Sequence, residues 1–218
     1  MPKIRIVCIS DTHSQHSKLN VPDGDILIHA GDFAAFGDTP IEIIDFNQWL
    51  GTLPHLHKIV IAGNHDWMFE RHPGAARDLL TNAIYLENSG TELAGLKIWG
   101  SPVQPEFNNW AFNVARGAAI RRYWKMIPVN TDVLITHGPP SGILDTAHPT
   151  TAHLGCEELA EAAQNIRPRL HVFGHIHGGQ SQQNFGGTLY VNASVVNEAY
   201  QLVYAPQVVE IEVPTAKE

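Results

Sequence analysis

Ile4-Arg5-Ile6-Val7-Cys8-Ile9-Ser10-Asp11-Thr12-His13 sets the pattern for the rest of the chain. Residues 4–9 are a short apolar run rich in isoleucine and valine, the signature of a strand buried on both faces. A polar block, Asp11-Thr12-His13, follows at once. The same unit recurs four times. Residues 25–30 lead into Gly31-Asp32, residues 58–62 into Gly63-Asn64-His65-Asp66, residues 133–136 into His137-Gly138, and residues 170–173 into Gly174-His175-Ile176-His177. Ligands bind at the C-terminal strand edge of open α/β sheets, so five polar blocks in that position predict one shared site.

Helical stretches separate several of these strands. Residues 41–50 carry apolar side chains near helical spacing. A helix over 115–127 is stopped by Pro128, and one over 155–166 by the Arg167-Pro168 step. Strand and helix in alternation imply α/β layers. Two hairpins interrupt the alternation, one over 91–99 broken at Gly95 and one pairing 180–184 with 188–192 across Gly186-Gly187. Residues 208–213 read as a last strand, so the sheets are expected to be mixed. The 218 residues are 44% hydrophobic with no linker or low-complexity stretch, which predicts a single domain over 1–218.

The formal net charge of −8 argues against a partner that is a nucleic-acid polymer, which calls for a basic stripe. Arg116, Arg121, Arg122 and Lys125 form one basic cluster and read as a solvated helix face. No apolar run approaches the ~20 residues of a membrane span. No apolar leader precedes the first strand, and cleavage near residue 20 would remove Asp11 and His13, so the expected location is the cytoplasm. Cys8 and Cys156 are too few for a disulfide framework, and Cys8 reads as a small core hydrophobe. No P-loop or Gly-x-Gly-x-x-Gly run signals a nucleotide cofactor.

The polar blocks supply carboxylate oxygen and imidazole nitrogen. That mixture suits manganese, iron or zinc better than calcium or magnesium. Asp11 and His13 are two apart, as are His175 and His177, so an extended chain would turn both members of each pair to one side. Two divalent ions balanced against Asp11, Asp32 and one hydroxide leave a centre of roughly +1, which attracts a phosphodiester. His65, beside Asn64 and outside the ligand set, can give a proton to a leaving alkoxide. Asp66 can fix the His65 tautomer, cap the helix start at Trp67-Met68-Phe69, or do both.

Other histidines read more blandly. His55 and His57 share the H-x-H spacing but lie in a proline-containing connection without a carboxylate, and are expected at the surface. His29 falls inside an apolar strand and reads as a core residue. His16, His72, His148, His153 and His171 lack ligand context and read as structural or solvated. Asp23 and Asp25 flank Gly24 as turn residues. The long connection 102–113 holds Phe107, Trp110 and Phe112, which either stack on a base or aryl group or close a satellite core.

In this order the blocks DTH, GD, GNHD, HG and GHIH resemble the calcineurin-like metallophosphoesterase superfamily. Residues 10–14, 28–33, 101–107 with 110–113, and 136–140 are similar, more narrowly, to the metallophosphoesterase-domain-containing (MPPED) proteins, relatives of the class III cyclic-nucleotide phosphodiesterases. The resemblance implies a four-layer αββα sandwich of two mixed β-sheets flanked by helices. It also implies two divalent metal ions, Mn²⁺ first and Fe or Zn²⁺ compatible. One would take Asp11, His13, Asp32 and His177, and the other Asp32, Asn64, His137 and His175, with Asp32 bridging. His65 would be the acid or transition-state stabiliser. Some mammalian relatives carry a small residue in place of a ligand histidine and are nearly inactive, whereas this chain keeps both His175 and His177.

The implied activity is a dinuclear-metal phosphodiesterase that uses a metal-bridging hydroxide on cyclic nucleotides or other small phosphodiesters. The alternatives are a phosphomonoesterase or protein phosphatase, and a nucleotide-binding scaffold with weak activity. The expected partner is a small phosphate ester, a nucleotide first, with no membrane. The sequence indicates no oligomeric state.

Overall fold

In the computed structural model, which describes residues 3–147 and 151–213, strand β1 (Lys3–Ile9) buries alternate side chains in two different places. Ile6 and Cys8 join the core between two sheets, whereas Val7 and Ile9 join a core against helices. This is the period-two geometry of a strand covered on both faces. Parallel to β1 run β2 (Ile26–His29), β3 (His57–Val60) and β4 (Ile84–Tyr85), and β13 (Gln207–Glu212) closes the far edge antiparallel.

The second sheet has parallel strands β6 (Leu96–Ser101), β9 (Val133–Thr136), β10 (Leu170–Phe173) and β12 (Thr188–Asn192). Antiparallel β5 (Ser89–Leu93) and β11 (Ser181–Phe185) form its edges. Ile28, Ile59 and Ile61 of the first sheet meet Ile98, Ile135 and Val172 of the second in the inter-sheet core.

Helices α1 (Pro40–Thr52), α2 (Trp67–Arg71) and α3 (Pro73–Leu79) cover the outer face of the first sheet through Phe46, Phe69 and Ala76. Phe46 is fully buried and stacks on Phe33 at 4.4 Å, and burial of that size contributes about 2–3 kcal/mol. Helices α4 (Ala118–Trp124) and α5 (Glu157–Ile166) cover the second sheet through Ile120, Trp124, Leu159 and Ala163. The result is the expected four layers, with mixed sheets that are parallel at the centre and antiparallel at three of their four edges, β4 being the parallel one.

Several local readings need correction. Helix α4 starts at Ala118, not 115, because Gly117 at φ 80° cannot continue a right-handed helix backwards. The basic cluster on and beside it is exposed, as expected, and two of its members pair at the surface, Arg121 with Glu161 at 3.1 Å and Arg116 with Glu157. Helices α2 and α3 and the ribbon of β7 (Gln104–Pro105) with β8 (Asn113–Val114) are short elements without a long periodic signal. His55 is not a surface residue. It is 2% exposed, with Nε2 3.1 Å from the Pro22 carbonyl oxygen. His57 opens β3 half-buried. His16 is buried between Phe46 and Trp49, with Nε2 3.1 Å from Asp45. His29 and His171 are core residues held by Thr12 and Thr136. His148 lies outside the described residues.

Candidate metal centre

The parallel strands of both sheets end at one common edge. There Ser10, after β1, makes a single parallel bridge with Ser194, after β12, and the Val195 N–H donates to the Ser10 carbonyl at 3.1 Å. The two sheets are thereby stitched together directly below the polar blocks. The approach is tight enough to require glycine. A Cβ on Gly174 would meet Asp11 Oδ2 at 2.1 Å, and one on Gly63 would meet Asp32 Oδ1 at 2.2 Å.

The site residues leave the strands by left-handed backbone. Asp11 (φ 57°), His13 (41°), Asp32 (56°) and His175 (66°) all have positive φ. The chain therefore does not stay extended through Asp11–His13 or His175–His177. The pairs converge by sharp turns instead, since extended strands would carry these side chains past the edge. Each such non-glycine conformation costs on the order of 1–2 kcal/mol and persists only where its surroundings enforce it.

Asp11, His13 and His177 offer ligand atoms within 4.8 Å of one another, as do Asp32, His137 and His175, and also His13, Asp32 and His65. Asp32 belongs to two of these groups and lies 4.0 Å from His13 Nε2 and 3.4 Å from His137 Nε2. Asn64 Oδ1 lies 2.9 Å from His137 Nε2. All of these side chains are buried except His175, which is partly exposed.

The tautomers test whether a cation fits. His137 Nδ1 donates to the Ala30 carbonyl at 2.9 Å, so in the neutral ring the Nε2 lone pair faces Asp32 and Asn64 oxygens. His177 Nδ1 donates to the Asn197 carbonyl at 3.1 Å, and its Nε2 faces Asp11 Oδ1 at 3.6 Å. Neither ring nitrogen of His13 has a hydrogen-bond partner, though both are buried. Lone pairs aimed at oxygens repel unless a positive charge lies between them, and backbone-held imidazoles are how proteins orient metal ligands. The donor set fits divalent cations.

Protonation shows the same demand. Burial disfavours a charged His137, but Asp32 overrides it and lifts the ring to about 9. Burial likewise opposes charge on Asp11 and Asp32, yet His177 and His137 respectively hold these carboxyls below their ordinary range. Burial, reinforced by the His137 charge, lowers His175 to about 3.

His65, a member of the third group, is also held by the loop after β2. Its Nδ1 donates to the Ala35 carbonyl at 2.6 Å, and its backbone N–H donates to Asp32 Oδ1 at 2.8 Å. Trp110 stacks on the ring. Asp66 neither orients this ring nor caps α2 through its side chain. Its carboxylate accepts the backbone N–H groups of Asp32 (2.8 Å), Ala34 (3.0 Å) and Gly63 (2.7 Å), tying together the loops after β2 and β3. Burial and the Asp32 charge hold Asp66 well above the ordinary carboxylate range, although the Ala34 and Gly63 N–H groups pull it down.

A cavity of about 310 Å³ opens onto the centre, walled by Phe107, Trp110 and Tyr200. The aromatics of the long connection divide. Phe107 and Trp110 line the cleft, while Phe112 is 8% exposed and packs in the helix-side core. Arg116 also lines the cleft, but its guanidinium is taken by Leu154 and Gly155 carbonyls and by Glu157. Sequence reasoning missed Tyr200, whose ring lies 4.8 Å from His13 and 5.2 Å from His177, and the Ala35 and Asn197 carbonyls. Tyr200 sits in no motif, and a carbonyl leaves no trace in side-chain identity.

The family model for calcineurin-like phosphoesterases matches residues 4–179. Metallophosphoesterase domain-containing protein 1 of Homo sapiens, and equally that of Mus musculus, is 44% identical over 96% of this chain and 72% of its own length. Among solved structures, the phosphopantetheinyl hydrolase of Mycobacterium tuberculosis superposes with a TM-score of 0.59 at 17% identity, covering 89% of this chain and 90% of its own. That likeness is one of fold.

Proposed function

The chain belongs to the calcineurin-like phosphoesterase family, and from that premise we propose that it hydrolyses small phosphodiesters, cyclic nucleotides first among them. The reading rests on one observation above all: the buried Nε2 atoms of His137 and His177, whose rings are held from behind by the Ala30 and Asn197 carbonyls, face the oxygens of Asp32, Asn64 and Asp11. Asp11, His13, Asp32 and His177 would hold one divalent ion, and Asp32, Asn64, His137 and His175 the other. Mn²⁺ is the first ion to try, and Fe or Zn²⁺ suits the same ligands. When bound, such a pair supplies an activated water and the positive charge that displacement at phosphorus demands.

The chain's own residues do the rest. Since Nδ1–H is committed to Ala35, the proton that His65 can deliver is the one on Nε2. As the bond from phosphorus to the leaving oxygen breaks, that proton passes to the oxygen. Phe107, Trp110 and Tyr200 offer faces for a base or aryl group. The single described arginine of the cleft is already engaged, which favours a monoanionic diester over a dianionic monoester. Among the described residues, no helix is long and apolar enough to cross a membrane.

Hydrolysis of bis(p-nitrophenyl) phosphate with added Mn²⁺, wild type against Asp32→Ala, is the first test, followed by a panel of cyclic nucleotides. Turnover that needs metal and Asp32 supports the reading. A folded, metal-loaded protein that cleaves only monoesters, or binds nucleotides without cleaving them, overturns it.

A further inference from the structure

The loop after β2, which also carries Asp32, holds the His65 ring by its Nδ1 side. Its Ala35 carbonyl accepts the Nδ1 proton, and a Cβ on Gly37 (φ 65°) would come within 1.9 Å of the His65 carbonyl oxygen. The Gly37 carbonyl in turn accepts the Met68 N–H at 2.7 Å. This loop has few apolar anchors of its own at its tip, where Phe36 is 74% exposed.

What shapes the tip is one carboxylate from the first turn of α1. Glu42 Oε1 accepts the Ala35 N–H at 2.7 Å and the Phe36 N–H at 3.4 Å, and Oε2 accepts the Gly37 N–H at 2.8 Å. The Ser14 hydroxyl donates to Oε1 at 3.0 Å and accepts from Ala35 N–H at 3.1 Å. Three successive N–H groups folded around an anion form a closed concave unit, and charge-assisted bonds of this kind are about twice as strong as neutral ones.

We propose that Glu42 is a positioning residue for His65, acting through the Ala35 carbonyl to aim Nε2 at the leaving oxygen. The inference rests on the proton-donor reading of His65 and extends it to a residue outside every metal-binding block. A Glu in the first helical turn also steadies a helix N-terminus. The test therefore needs a readout that helix stability alone would not move.

Leaving-group dependence is that readout. A phenol with a good leaving oxygen needs little protonation, and a poor one needs it fully. We would measure kcat and KM for methyl 4-nitrophenyl phosphate and methyl phenyl phosphate with the Mn²⁺-loaded wild type, Glu42→Ala, Glu42→Gln and His65→Ala. Metal content would be followed by elemental analysis. Loss of general-acid catalysis costs about 10²–10⁴-fold, so misplacing the donor in Glu42→Ala should cost kcat at least about tenfold more on the phenyl than on the nitrophenyl ester. KM and metal content should hold.

Glu42→Gln keeps one acceptor oxygen and should fall between wild type and Glu42→Ala. It carries the test if Glu42→Ala does not fold. Equal losses on both esters in folded, metal-loaded Glu42 variants, with His65→Ala still discriminating, overturn the role of Glu42 alone. No discrimination in His65→Ala overturns the proton-donor reading and this inference with it.

Discussion

Trp110 lies almost flat on His65, with ring centroids 4.3 Å apart and planes 25° from parallel. The stack and the Ala35 bond restrain the imidazole in two different directions, one against tilting and one against rotation. Aromatic stacking of this kind is worth about 0.5–1.5 kcal/mol beyond buried area.

Replacing Trp110 by alanine should therefore lower kcat for phosphodiester hydrolysis by roughly two- to tenfold, with Trp110→Phe retaining most of it. Steady-state kinetics on both variants check this. If Trp110→Ala turns over like the wild type, the ring has no part in holding His65.

Asp32 lies 4.0 Å from His13 Nε2 and 3.4 Å from His137 Nε2, one member of each proposed ligand set, so its loss should cost the protein its metal pair rather than one ion. Asp32→Ala is expected to drop from two ions per chain to fewer than one by elemental analysis after dialysis. Chelation of the wild type should also lower thermal stability, because an ion present at about 100 times its dissociation constant contributes roughly 2.7 kcal/mol. Two ions retained at full occupancy in Asp32→Ala would remove the bridging role.

Asp66 should behave as a structural acid. Asp66→Ala strands three backbone donors at Asp32, Ala34 and Gly63, and each unsatisfied buried group costs about 1–3 kcal/mol. A loss of about 3 kcal/mol or more in urea unfolding is expected, without a change in leaving-group preference in whatever folds. A stable Asp66→Ala that selectively loses poor leaving groups would return Asp66 to the chemistry.

His171 should set part of the acid limb of stability. Its Nε2–H donates to the Thr136 hydroxyl at 2.8 Å, and that hydroxyl donates to the Gly138 carbonyl at 2.8 Å. Burial lowers the ring from 6.5 to about 3. Between those values the unfolded chain binds one more proton than the folded one. Stability is thus complete above about pH 6.5 and falls as pH drops toward 3, by at most about 1.4 kcal/mol per pH unit from this group. Urea midpoints measured from pH 7 to 4.5 should fall less steeply in His171→Phe, and parallel curves would show that His171 does not titrate in this way.

The strands that carry the site were legible because burial on both faces leaves short runs dominated by Ile, Val and Leu, as in β1, β9 and β10. The polar blocks were legible because each follows such a run directly. Backbone shape was not. Asp11 and His175 read as extended from their spacing, and only the packing of Gly174 against Asp11 shows why the chain must turn there. Asp66 looked like a partner for its neighbour His65, but its true partners are N–H groups up to 34 residues away, which side-chain patterns do not encode. His55 read as exposed because its connection contains Pro54 and no carboxylate, while a distant carbonyl at Pro22 makes its burial affordable.

The Ser10–Ser194 bridge has a mechanical consequence. Asp11, Asp32 and Asn64 ride on one sheet, and His137, His175 and His177 on the other, so the centre straddles a seam. A slip of one sheet against the other by a single residue, about 3.3 Å, would move the two ligand halves out of reach of a common ion. The apolar teeth that prevent such a slip, among them Ile28 and Ile135, thus work as a vernier for the spacing between the two ion positions. Substitutions deep in that layer should blunt catalysis before they melt the protein.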